Sequence, residues 1–156
     1  MTNNEQNTEN SHEVEWLMRK ITDQSPNAAY ARRAQALAMD VVTHYGIINL
    51  DAEDVNLILD SPGTFAAFDV VIDDDCPNRG DELVSQLTAQ TAGFGKINSI
   101  LFYLFYSDKR QLEFGDIQPF SEWLDSNHPG SDIVWGTAID NQAPTSLRAV
   151  VLLKHD

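Results

Sequence analysis

The stretch Ile97–Tyr106, INSILFYLFY, constrains the fold more than any other part of the chain. It is apolar at both odd and even positions, and a strand with two apolar faces belongs in the interior of a sheet. Its longest uninterrupted apolar run, Ile100–Tyr106, is too short to span a bilayer. A sheet with such a centre needs strands beside it and helices over it, and the flanking sequence supplies both.

Asn27–Tyr45 is the clearest helix, with Tyr30, Ala34, Leu37, Ala38, Val41 and Tyr45 at helical spacing. Ser25 is the expected N-cap with Pro26 at the first helical position, and Gly46 reads as a C-terminal glycine. A shorter helix is predicted from about Ala52 to Asp60, stopped by Ser61-Pro62-Gly63. Phe65–Ile72 alternates as a strand through Phe68, Val70 and Ile72, and an acidic, turn-rich loop covers Asp73–Gly80. Asp81–Thr91 reads as a helix with Leu83, Val84 and Leu87 on one face, and Asp116–Asn127 as another with Ile117, Phe120, Trp123 and Leu124 inward. Ser131–Ile139 and Leu147–Leu153 are strands close enough to form a hairpin, with Trp135 directed to the core. The expected fold is a two-layer α/β sandwich. Its mixed sheet of about four strands is covered by helices, and the long helix 27–45 crosses the same side.

Residues 1–25 are set apart from this domain, which spans 26–156. The first dozen or so are polar, acidic and without periodicity, and are expected to be disordered. Glu13–Thr22 carries Val14, Trp16, Leu17, Met18 and Ile21, enough for a short amphipathic helix. Either it folds back onto the domain, or Val14, Trp16, Leu17 and Ile21 form a docking segment with tryptophan as its anchor.

The chain has 156 residues, 42% of them hydrophobic, which suits one domain with a real core. Its formal net charge of -14 opposes phosphate backbones and anionic lipid, so neither nucleic acid nor a membrane surface is an expected partner. A single cysteine, Cys76, excludes an intramolecular disulfide and suits a reducing compartment. The N-terminal residues have no basic region followed by an apolar one, so the expected location is the cytoplasm. Oligomeric state is open at this level.

The segment with the most chemical content is GIINLDAEDV, Gly46–Val55. Asp51 and Asp54 stand three apart at the start of the second helix, on one face of its first turn. As local structure, Asp51 is an N-cap and Asp54 returns the capping contact, both favoured by the positive helix end.

The same segment resembles the synergy loop of FtsZ, in which a glycine, an asparagine and two aspartates three apart follow the helix linking the two domains of the tubulin/FtsZ family. Ile133–Asp140, IVWGTAID, and Leu147–Leu152, LRAVVL, resemble that family's two closing strands, at a similar distance from the loop. The resemblance covers about residues 27–154. It implies the fold of the family's C-terminal domain preceded by its central helix. It also implies that residues matching Asp51 and Asp54 reach into the nucleotide site of the next subunit, where they orient the water attacking the γ-phosphate. Asn49 matches a residue facing that nucleotide. Carboxylates at a helix N-terminus are expected to stay ionised, as this role requires.

The departures are as informative. The family's GTP-binding half needs a glycine-rich loop that cradles phosphates, and nothing in this sequence matches it. Gly93-Phe94-Gly95-Lys96 lacks the spacing of a P-loop and reads as a helix-to-strand turn. Phe65–Gly80 lacks the small-residue, glycine- and methionine-rich stretch of the family. Asp73-Asp74-Asp75 has no alternating ligand pattern and reads as a solvated loop, Cys76 as inert, and the four histidines as dispersed, so no metal and no cofactor are expected. The resemblance therefore implies a non-enzymatic protein that binds an FtsZ-like GTPase and modulates or caps its filament, in bacterial cell division or a related cytoskeleton. The alternative is a scaffold or interaction module that keeps the fold without a filament role; a free-standing enzyme has no catalytic set to support it.

Overall fold

The computed structural model describes residues 3–43, 46, 48–73, 75–140 and 147–156, with only the backbone of 3–11. His44, Tyr45, Ile47, Asp74 and the 141–146 connection lie outside the described residues. The elements are α1 (Asn3–Gln24), α2 (Ala28–Thr43), α3 (Ala52–Asp60), β1 (Thr64–Ile72), α4 (Arg79–Gln90), β2 (Ile97–Tyr106), α5 (Phe114–Asn127), β3 (Asp132–Ile139) and β4 (Leu147–His155).

The sheet is four-stranded and mixed, in the order β1-β4-β2-β3, with β4 antiparallel to both neighbours and β2 parallel to β3. β2 is interior, as its two apolar faces demand. β3 and β4 do not form the expected hairpin: β4 inserts between β1 and β2. The physical reason lies in the side chains. β4 is buried at six consecutive positions, Ala149–Lys154, and at Leu147 before half-buried Arg148, whereas β3 exposes Asp132, Ile133 and Trp135. The strand that is apolar on both faces takes the centre, and the strand with one open face takes the edge.

The α/β class stands as expected, but helices cover both faces of the sheet, giving one layer more than the two-layer reading. Leu101, Tyr103, Phe105, Val150 and Leu152 pack with α1, α2 and α3. Ile100, Phe102, Leu104, Val151 and Leu153 pack with α4 and α5. The long helix α2 thus lies opposite α4 and α5, not beside them. Alternate residues of β2 and β4 are apolar in both directions, so each face loses free energy unless covered, at roughly 25 cal/mol per Å² of apolar surface left in water. Trp123 is half-buried in the second cluster, whereas Trp135, expected in the core, is 45% exposed on the edge strand.

The N-terminal residues depart furthest from expectation. α1 is continuous from Asn3, where disorder was expected to about residue 12. Leu17 and Ile21 are fully buried in the first cluster, and Lys20 bonds Asn56 and Asp60 of α3. Gln35 of α2 donates to the Met18 carbonyl at 3.0 Å. Packing of the second half nucleates the helix, after which the polar first half can propagate without the nucleation cost. The cap of α2 also shifts: Asn27 Oδ1 accepts from the Tyr30 N–H at 2.8 Å, while Ser25 Oγ donates back to the Ile21 carbonyl.

The far end of the sheet is tied by two polar contacts. Arg79, at the start of α4, is buried; its Nη2 donates to Asp116 Oδ2 at 2.8 Å and to the Gln111 carbonyl at 2.6 Å. At the other end of α5, His128 Nδ1 accepts from the Ile97 N–H at 3.0 Å. Burial, aided by the charge of Lys96, holds the His128 pKa below its ordinary 6.5. A folded pKa below the unfolded one means that this contribution is complete above about pH 6.5 and is lost as pH falls below it. Between pH 7 and 5, the wild type is expected to lose more unfolding free energy in urea titrations than His128→Gln. Parallel pH profiles would remove His128 as the cause.

Candidate functional site: the loop between α2 and α3

The segment after α2 is held by three local devices. Asn49 Oδ1 accepts from the Gly46 N–H at 2.5 Å, closing a tight turn. Ile48 forms a bridge to Thr137, whose N–H donates to the Ile48 carbonyl at 3.1 Å, so the segment lies along the outer edge of β3. Leu50 is buried in the first cluster and anchors the entry to α3.

Glycine is required on both sides of this seam. A Cβ on Gly46 would sit 2.1 Å from the Thr137 carbonyl oxygen, and one on Gly136 would sit 2.7 Å from both the Ile48 carbonyl oxygen and the Tyr103 ring. Gly46 therefore permits close backbone approach; it does not have the positive φ of a helix-terminating glycine. Gly136→Ala is expected to cost about 1–3 kcal/mol from overpacking. It should also speed hydrogen exchange at the Thr137 amide. Unchanged exchange there would show that the seam yields without opening.

Beyond the seam, Asp51 and Asp54 form a reciprocal capping box. The Asp54 N–H donates to Asp51 Oδ1 at 3.1 Å, and the Asp51 N–H donates to Asp54 Oδ2 at 2.9 Å. Asp51 is exposed and Asp54 half-buried. The second oxygen of each, Asp51 Oδ2 and Asp54 Oδ1, makes no hydrogen bond among the described residues. Burial raises the Asp54 pKa above the ordinary 3.8. The Asp51 N–H opposes this rise, while the Asp51 carboxyl and the Glu53 charge add to it. The expectation that the helix end favours the ionised form is thus reversed in direction at Asp54, chiefly because the carboxyl is partly buried and secondarily because neighbouring carboxylates share its turn.

A groove of about 320 Å³ opens beside this pair, walled by Asn49, Leu50, Asp51 and Ala52 of the loop, by Val42 of α2, and by Glu13 and Val14 of α1. Asn49, Asp51 and the capping partner Asp54 are thus brought together at an open surface. Glu13 joins them across the groove, and nothing in its local sequence signalled that. The arrangement offers oriented acceptors and negative charge, suited to holding a water, a hydrated cation or a basic side chain.

The proposed docking segment is divided by the fold. Leu17 and Ile21 face the chain's own core, so they are not available as ligands of a partner; their burial follows from the apolar face that α2 and α3 present to α1. Val14 is half-buried in the groove wall, and Trp16 is 49% exposed with the Lys20 ammonium 4.8 Å from its ring centre. Cys76 packs against the second cluster. Among the described residues, no group of three histidine, cysteine or acidic side chains could hold a metal ion, and no helix is long and apolar enough to cross a membrane.

Neither a protein-family model nor a curated protein matches the sequence. Solved structures do match the fold. An empty FtsZ dimer from M. jannaschii superposes with a TM-score of 0.57 at 18% identity, over 88% of this chain and 43% of that one. A point mutant of M. jannaschii FtsZ gives 0.53 at 18% identity, over 86% and 44%. CetZ from Methanosaeta thermophila gives 0.57 at 13% identity, over 79% and 34%. The chain spans less than half the length of each of these proteins. α2, the loop after it and the mixed sheet thus belong to a chain with an FtsZ-like fold that occupies only part of the length of the proteins sharing it.

Proposed function

We propose that this chain is a non-enzymatic binding protein that docks its α2–α3 loop on an FtsZ-type GTPase subunit and caps or shortens the filament. The observation that carries this reading is the state of Asp51 and Asp54. Each uses one oxygen to fix the other's backbone and leaves the second without a hydrogen bond among the described residues, with Asp51 on the wall of an open groove. Such a pair is preorganised for an acceptor role against a neighbour, with little side-chain entropy left to lose. Against a nucleotide-bearing subunit, Asp51 and Asp54 would orient water or a hydrated cation near the terminal phosphate, with Asn49 on the same rim. The 156 residues contain no phosphate-cradling glycine loop, so a docked chain of this extent offers no nucleotide face to the next subunit. The setting that fits is the cytoplasm, where such filaments and their GTP are found. Polymer pelleting and GTP turnover of an FtsZ-type partner, with and without this chain, test the proposal: shorter or fewer polymers are expected at substoichiometric amounts. Unchanged pelleting across a range of ratios would overturn it.

A second reading, an interaction module without a filament role, draws on the exposed Trp16. Because Leu17 and Ile21 belong to the core, deleting the N-terminal segment would confound binding with folding. Trp16→Ala is the cleaner variant. It should leave any effect on polymers intact under the first reading and abolish partner binding under the second.

A further inference from the structure

The face opposite the loop carries a second surface that the filament reading does not use. Between α5 and the edge strand β3 lies a groove of about 230 Å³, walled by Phe102, Leu104, Ile117, Phe120, Ile133 and Trp135. Ile133 and Trp135 are each 45% exposed, and Phe114 at the head of α5 is 78% exposed. Large apolar side chains left in water at one place mark a docking surface more often than a neutral one.

The backbone beside that groove is open as well. The Thr137 N–H points away from β2 to Ile48, so with a period of two the backbone groups of Ile133 and Trp135 point outward too. No described residue bonds them. The other edge of the sheet is managed differently: the Tyr30 hydroxyl accepts from the Ala67 N–H at 2.9 Å, and Gln86 donates to the Val71 carbonyl. The first half of β3 is therefore an unblunted edge with an apolar trough beneath it.

Charge selects the occupant. From residue 113 to residue 140 the chain carries Glu113, Asp116, Glu122, Asp125, Asp132 and Asp140 and no lysine or arginine. Asp116 is matched by Arg79, and Lys96, which faces His128, is not a wall of the groove. A second copy of this chain would bring the same carboxylates against themselves, which opposes pairing of β3 with β3. We infer that the β3 edge and its groove bind an extended segment of another protein in which lysine or arginine alternates with aliphatic residues. That segment adds as a strand outside β3. Its main chain bonds Ile133 and Trp135, its apolar side chains enter the groove, and its basic ones, alternating to the other face of the sheet, lie in the field of a chain with a net charge of -14. The Ile48 bridge limits the new strand to the first half of β3.

The test uses two capped heptapeptides of identical composition, one alternating lysine with valine and one with the lysines and valines in separate blocks. Both feel the net negative surface equally, so only the alternating order exploits the edge. It is expected to bind about tenfold tighter near physiological salt, and to slow hydrogen exchange at the Ile133 and Trp135 amides. In Ile133→Lys, an exposed substitution, the preference should vanish. Equal binding of the two peptides, or protection mapped to another strand, would overturn the inference. So would a concentration-dependent dimer abolished by Ile133→Lys, which would assign the edge to a second copy. None of these readouts involves a GTPase, so their failure leaves the filament proposal standing.

Discussion

Asp116→Leu is expected to lower the unfolding free energy by about 3–5 kcal/mol, the usual cost of leaving one member of a buried ion pair without its partner. Arg79 is 1% exposed and cannot relax into water, and its carboxylate partner also accepts the Glu113 N–H at 2.8 Å to start α5. One substitution thus strips a buried guanidinium of its counter-charge and a helix of its first-turn acceptor. The paired replacement Arg79→Met with Asp116→Leu should recover much of the loss, because well-packed apolar residues replace buried pairs at little cost. Urea titration of the three variants checks both statements, and a single-variant loss below about 1 kcal/mol would place the pair among ordinary surface contacts. The pH dependence has a definite sign. Burial raises the Asp116 pKa, but hydrogen bonds from Arg79 and the Glu113 N–H, with the charges of Arg79 and Arg110, outweigh it and hold the value below 3.8. The pair's contribution is therefore complete above about pH 4 and is lost as pH falls through the depressed folded value.

At the loop, the largest expected effect separates capping from partner chemistry. Asparagine caps a helix as well as aspartate does, so Asp51→Asn with Asp54→Asn should change stability by less than about 1 kcal/mol. The same double variant removes both negative charges from the head of α3, including that of Asp51 on the groove wall. If those oxygens act on a neighbour's water or cation, its effect on polymer mass and GTP turnover should fall at least about tenfold, a loss worth about 1.4 kcal/mol. Asp51→Ala is the complementary probe: it removes the cap as well, at about 1 kcal/mol of stability. A double asparagine variant as active as the wild type would reduce the pair to helix caps, whatever else the chain binds.

The elements themselves were legible because their signals are local. Period-two alternation marked β1, helical spacing marked α2 and α5, and the two-faced run marked β2 as interior. The capping box was readable to the residue, since both its hydrogen bonds lie within one turn. Other features were invisible for equally physical reasons. The N-terminal helix has little intrinsic apolar content and owes its place to Leu17 and Ile21 meeting α2 and α3, contacts far away in sequence. Arg79 reads as a loop residue until Asp116 and the Gln111 carbonyl arrive from across the second helical layer.

By itself, then, the sequence determined which stretches from α2 onward are helix or strand, that β2 is central, and that two carboxylates stand together at the head of α3. Tertiary structure alone decided that β4 separates β1 from β2, that helices cover both faces, and that Ile48 closes half of the β3 edge and leaves the rest open. Local periodicity reports which side of an element is apolar. Which neighbour covers that side is settled by long-range packing, where the two-sided apolar surface of β4 outcompetes β3 for the middle of the sheet.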